Sequence, residues 1–126
     1  MKKTKFVFTN QTEASGLVID VPAGIQSKTV LMETLGANLL FPEYYGANWD
    51  AFEECIRDLS WLKESDITIR HIDIPLDNDT IAAKTYLEIL KDAVTKWESE
   101  SSHDLIVIFP SGFQMMIESL IKQGAQ

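Results

Sequence analysis

Histidine and cysteine are nearly missing from this chain of 126 residues, which has two of the first and one of the second. A lone cysteine, Cys55, excludes an internal disulfide and fits a reducing compartment. His71 and His103 each lack a second ligand at helical or hairpin spacing, so no metal site can be read. Cys55 falls on an apolar helix face and reads as a packed core residue. No glycine-rich phosphate loop follows a strand, and no Gly-x-Ser-x-Gly elbow occurs. These gaps speak against an enzyme: no catalytic residue, metal or cofactor is assigned. Cations are also scarce, with 11 Lys and Arg against 19 Asp and Glu, a net charge of −8 and a sequence pI near 4.6. Such a surface repels phosphate backbones and anionic lipid, which speaks against nucleic-acid and membrane partners and favours a basic protein. No apolar run reaches transmembrane length. The run that follows Lys2-Lys3 is broken at Thr9-Asn10-Gln11, unlike a secretion signal. The chain is therefore read as cytoplasmic.

What is present is ordinary for one globular domain spanning residues 1–126. Hydrophobic residues make up 45% and charged residues 24%, enough to bury a core without metal or disulfide staples. "KFVFT" (5–9) alternates as a half-buried strand does, and "LVIDV" (17–21) reads as a second strand that could pair with it in a hairpin. Ser27 caps a helix reaching about Leu40, with Val30, Leu31, Thr34 and Leu35 on one side. Asn48 caps the next, at about 49–60, whose inner side gathers Trp49, Phe52, Cys55, Ile56 and Leu59. "DITIRHIDI" (66–74) is a strand. A long helix capped by Asp79 or Thr80 runs to Trp97, with Tyr86, Leu87, Leu90, Ala93, Val94 and Trp97 inward. "LIVIF" (105–109) is apolar at every position, which suits a strand covered on both faces. A short helix over 112–123 closes the chain, with Phe113, Met116, Ile117 and Leu120 on its apolar side. Strands alternating with helices give an α/β class with a parallel core.

The chemistry concentrates in "LFPEYYGANWDAFEECI" (40–56). Half of the twelve aromatic residues lie between Phe41 and Trp61, mixed with carboxylates. Asp50 and Glu54 stand four apart on one helix face, where like charges repel by a few tenths of a kcal/mol. Spacing alone leaves two readings open, a solvated polar face or a surface that grips cations. The loop before the helix, with Pro42, adjacent Tyr44 and Tyr45, and Gly46, can hold rings outward beside the carboxylates. Rings beside desolvatable charge are the makeup of a protein-binding hot spot.

The segment "FPEYYGANWDAFEECIRDLSWL" closely resembles the one that defines barstar-like ribonuclease inhibitors. The likeness is carried by Pro42, Glu43, Tyr44, Tyr45, Gly46, Asn48, Asp50, Ala51 and Cys55, and extends over about residues 17–110. The resemblance implies a small α/β fold with a three-stranded parallel sheet packed with helices, here extended by an N-terminal strand and a C-terminal helix. It implies a partner too: a basic ribonuclease or related toxin, whose active site the loop and following helix enter. Carried over by position, Tyr44 and Tyr45 would be ring contacts, Gly46 and Asn48 backbone or polar contacts, Asp50 an acidic contact, and Glu54 the mimic of a substrate phosphate. Glu53, also on this surface, stands where the family carries an aromatic contact. Glu54 stands where it carries Asp, and Lys84 where a later helix carries an acid. The alternative is an immunity or interaction module of the same fold that binds a different basic protein. A monomer is favoured, with the final helix left open as a cover for the sheet or a dimer contact.

Overall fold

The computed structural model describes residues 2–11, 13–42 and 48–122. In chain order the elements are β1 (Lys5–Phe8), β2 (Leu17–Val21), α1 (Lys28–Asn38), α2 (Trp49–Asp58), β3 (Asp66–His71), α3 (Thr80–Glu98), β4 (Asp104–Phe109) and α4 (Gln114–Lys122), with a short 3-10 turn at Ser111–Phe113 before α4. The strands form one sheet in the order β1-β4-β3-β2. Every pairing is parallel.

The class is the α/β one expected, but the sheet has four strands rather than three, because β1 adds itself to the β4 edge in the register Lys5↔Ile106 to Phe8↔Phe109. The hairpin reading of 5–9 with 17–21 is overturned. β1 and β2 run in the same direction at opposite edges of the sheet, so the residues between them are a crossover and not a turn. Packing explains the choice: Phe6 on β1 stacks on Phe109 of β4 at 5.6 Å between ring centroids and meets Phe8 edge-on at 5.7 Å.

Alternation along each strand sends successive side chains to opposite faces. Ile19, Val21, Ile67, Ile69, Leu105, Val107 and Phe109 join one core with the buried residues of all four helices, whereas Ile106 and Ile108 are buried outside that cluster. They lie on the second face, which the 9–16 crossover covers. Both faces of β4 are therefore apolar, as "LIVIF" requires. The crossover is tied at both ends. Thr9 N donates to Phe109 O at 2.9 Å, and Ser111 N donates to Asn10 Oδ1 at 3.1 Å. Ser15 Oγ donates to Asp66 Oδ2 at 2.9 Å, and Thr68 Oγ1 to Ser15 O at 3.3 Å. Gly16 makes the close approach possible: its φ is +77°, and a Cβ there would fall 2.1 Å from Asp66 O.

The helices follow their caps. Ser27 accepts from Val30 N and Asp79 from Ala82 N. All six residues expected inward on α3 are buried. On α1 the buried set is Leu31, Met32, Leu35 and Gly36, while Val30 is 48% exposed, so the inner face is turned from the expected one. The strand expected to reach residue 74 stops at His71. At the C-terminus Ile117 enters the core but Met116 is 57% exposed, against expectation. α4 packs beside α3, on the helical side; the second sheet face is covered by the crossover instead.

Candidate functional site

α2 is fastened at both ends before anything binds it. Asn48 Oδ1 accepts from Ala51 N at 2.8 Å, the usual N-cap contact. At the other end, Trp97 of α3 donates its Nε1–H to Ile56 O at 3.0 Å. The Lys96 ammonium meets the Arg57 carbonyl while lying 4.6 Å over the Trp97 ring. Leu59 closes the helix in the left-handed region, with φ 52°. The inner face is anchored by Phe52, fully buried and stacked on Tyr86 at 6.0 Å.

The segment leading into the helix is braced as well. Phe41 sits 6.2 Å from Phe52 and meets Trp61 edge-on at 5.9 Å. Trp61 Nε1 donates to Leu39 O at 2.9 Å. Trp49 is half-buried, with the Lys28 ammonium 5.8 Å over its ring. The loop residues Tyr44, Tyr45 and Gly46 lie outside the described residues.

The outer face of α2 is acidic. Asp50 and Glu54 are exposed and Glu53 is half-buried. Together with Arg57, Asp58 and Lys96 they line an open basin of about 600 Å³. Among the described residues none of these four carboxylates forms an ion pair, whereas Asp20, Asp66, Glu88 and Asp104 each do. The Arg70 hydrogen bond holds the Asp20 carboxyl down, and those from Lys3 and Ser15 hold down Asp66. The α2 carboxylates are left as acceptors outside any ion pair, although Arg57 and Lys96 share their basin. Such a surface can receive Arg and Lys side chains through charge-assisted hydrogen bonds. Asn48 uses one acceptor site of Oδ1 on the cap, which leaves its amide N–H groups and a second lone pair for a partner.

A second hollow adjoins this basin and shares Glu53. It measures about 320 Å³ and is walled by Thr85, Glu88, Ile89, Lys91 and Asp92 of α3 and by Ile121 of α4. Glu88 and Asp92 escaped the sequence reading. Their spacing of four marks one face of α3, but nothing in sequence says that this face borders α2. Lys84 lies 3.5 Å from Glu88 and partly neutralises it.

The two histidines are structural. His71 and Tyr86 are buried against each other, and His103 Nδ1 lies 2.7 Å from Glu64 O beside Trp97. Burial, then Glu54 and Asp58, push the Cys55 thiol up. Among the described residues no group of His, Cys, Asp and Glu is arranged to hold a metal, and no helix is long and apolar enough to cross a membrane.

The profile of one family, barstar (barnase inhibitor), matches residues 17–109, from the first residue of β2 to the last of β4. The chain belongs to the barstar family. Members of that family are inhibitors, and the matched region contains α2, the loop before it and the three strands β2, β3 and β4. β1, the crossover and α4 lie outside it. No curated protein matches the chain.

Proposed function

We propose that this barstar-family protein inhibits a ribonuclease by seating the acidic face of α2, with the tyrosine loop beside it, in the nuclease's basic cleft. Ribonucleases bind a polyanion, so their clefts present Arg, Lys and His. Carboxylates on a rigid helix occupy those sites without offering a bond to cleave. The observation that carries this reading is the outer face of α2 itself: Asp50, Glu53 and Glu54 share one open basin and form no ion pair among the described residues. In the free protein that arrangement is mildly unfavourable. In a complex it is complementary. Glu54 is the proposed phosphate mimic, Asp50 and Glu53 are its acidic neighbours, Tyr44 and Tyr45 supply the rings, and Gly46 and Asn48 bring backbone and amide groups close.

The test is inhibition of a barnase-type ribonuclease by the purified protein, beside its Glu54→Gln variant. Stoichiometric inhibition by the parent and marked loss in the variant support the reading. A parent that leaves the nuclease untouched while capturing another basic toxin would move the assignment to an immunity module of the same fold.

A further inference from the structure

The helix-free face of the sheet holds a second feature, a trough of about 450 Å³ beneath the 9–16 crossover. Its construction follows from strand alternation. Phe6 and Phe8 point to the helical core, which leaves Lys5, Val7 and Thr9 on the other face. Ile106 and Ile108 of β4 continue this floor, and they are only 6% and 7% exposed. The rim has the opposite character. Among the described residues Lys2, Lys3 and Lys5 line it against a single carboxylate, Glu13, in a chain whose net charge is −8. Lys2 and Lys3 are engaged by Asp104 and Asp66, but Lys5 has no ion pair among the described residues. Among the described residues no aromatic ring lines the trough to stack on a nucleobase. The size falls in the range of small-ligand sites.

We propose that this trough is a second binding site, for a small amphipathic anion: an aliphatic chain lying on Val7, Ile106 and Ile108, with a carboxylate or phosphate head at Lys5. The site lies across the sheet from α2, is built partly from residues outside the family match, and does not depend on the inhibitor function. Gln11, Glu13, Ala14 and Ser15 wall it on the outer side.

Decanoate below its micellar concentration is the probe, read by methyl NMR of Val7, Ile106 and Ile108. Saturable shifts at these three residues are expected, with decanol binding more weakly. Lys5 is exposed, so Lys5→Gln keeps the fold, and it should weaken decanoate roughly fivefold, the upper end for an exposed charge pair. Ribonuclease inhibition should be unaffected by decanoate. Absence of shifts overturns the proposal. So does equal affinity for decanol with no effect of Lys5→Gln, which would mark an unspecific apolar surface. Binding to vesicles of phosphatidylglycerol without any binding of monomeric decanoate would overturn it as well, placing the anion in a bilayer.

Discussion

The His71–Tyr86 pair should make this protein lose stability in mild acid. His71 lies in the core face of β3, stacked on Phe109 at 3.8 Å between centroids with the planes 9° apart. One ring nitrogen, Nδ1, lies 2.9 Å from the Ile108 carbonyl, and the other, Nε2, lies 2.7 Å from Tyr86 Oη. A carbonyl can only accept, so Nδ1 carries the proton and Nε2 accepts from the tyrosine hydroxyl. A second proton would oblige Nε2 to donate and would leave a charge in an apolar core. Burial therefore drives the His71 pKa from 6.5 down to about 4, only partly opposed by the Ile108 carbonyl, and the same burial drives Tyr86 upward. Above pH 6.5 the imidazole is neutral whether the chain is folded or unfolded, and this group contributes no pH dependence. Between 6.5 and 4 the unfolded chain takes up a proton that the folded one refuses. Stability should then fall by up to about 1.4 kcal/mol per pH unit, reaching about 3 kcal/mol in all. The lowered carboxyls act later. Burial raises Asp104, but hydrogen bonds from Thr4, Lys2 and the backbone outweigh it and set its pKa to about 2. Its contribution is therefore lost only as pH falls below the ordinary carboxylate range. Urea denaturation at pH 7, 5.5 and 4.5 reads the slope, and His71→Phe combined with Tyr86→Phe should flatten it. Unchanged stability from pH 7 to 4.5, or an undiminished slope in the double variant, would refute the reasoning.

Four further outcomes are expected. Glu54→Gln should leave folding unchanged or stabilise it by up to about 0.5 kcal/mol by relieving its repulsion with Asp50, yet cost roughly 2–5 kcal/mol of affinity for the nuclease; Asp50→Asn should also weaken binding and lose a little stability at the helix N-terminus. Denaturation and inhibition titrations on the same preparations separate the two effects. Association with a basic nuclease should slow as the Debye length drops from about 10 Å at 0.1 M salt to about 3 Å at 1 M, measured by stopped flow; a rate indifferent to salt would sink the electrostatic mechanism. Tyr44→Ala should weaken binding by roughly 1–3 kcal/mol with little change in melting temperature; a large thermal loss would place that ring in the core. Gly16→Ala should destabilise by about 2–3 kcal/mol, since it combines a left-handed φ with a clash against Asp66 O; a melting temperature equal to the parent's would show that the crossover adjusts freely.

Local pattern carried some parts of this structure and not others. α3 was legible because eight buried residues recur at helical spacing from Ala83 to Trp97, about four turns, and β4 because residues apolar on both sides need two covered faces. The acidic face of α2 was legible for the same geometric reason as α3. The inner face of α1 was misjudged because Val30, Leu31 and Met32 are consecutive apolar residues, and period alone does not choose among them. The hairpin error has a different origin. Alternation marks β1 as a strand, but its partner is chosen by which sheet edge offers Phe109 to Phe6, about a hundred residues away. Glu88 and Asp92 were missed likewise, since their place beside Glu53 depends on the packing of α2 on α3.

The pairing of β1 with β4 carries a consequence for the order of events in folding. β1 can be placed only after β4 has emerged from the ribosome, because β4 is its one neighbour among the described strands. Until then "KFVF" waits with its backbone groups unpaired, and the outer edge of β4 is bare once β3 has docked. Pairings between distant parts of a chain form slowly, and unpaired strands recruit other chains in the interval. The lysines at positions 2, 3 and 5 then serve as guards for the waiting strand, since charged side chains discourage edge-to-edge association. On docking, Lys2 and Lys3 change duty, closing on Asp104 and Asp66. These latches thus close only once β4 has been made, so the cooperative stability of the sheet should appear late and all at once.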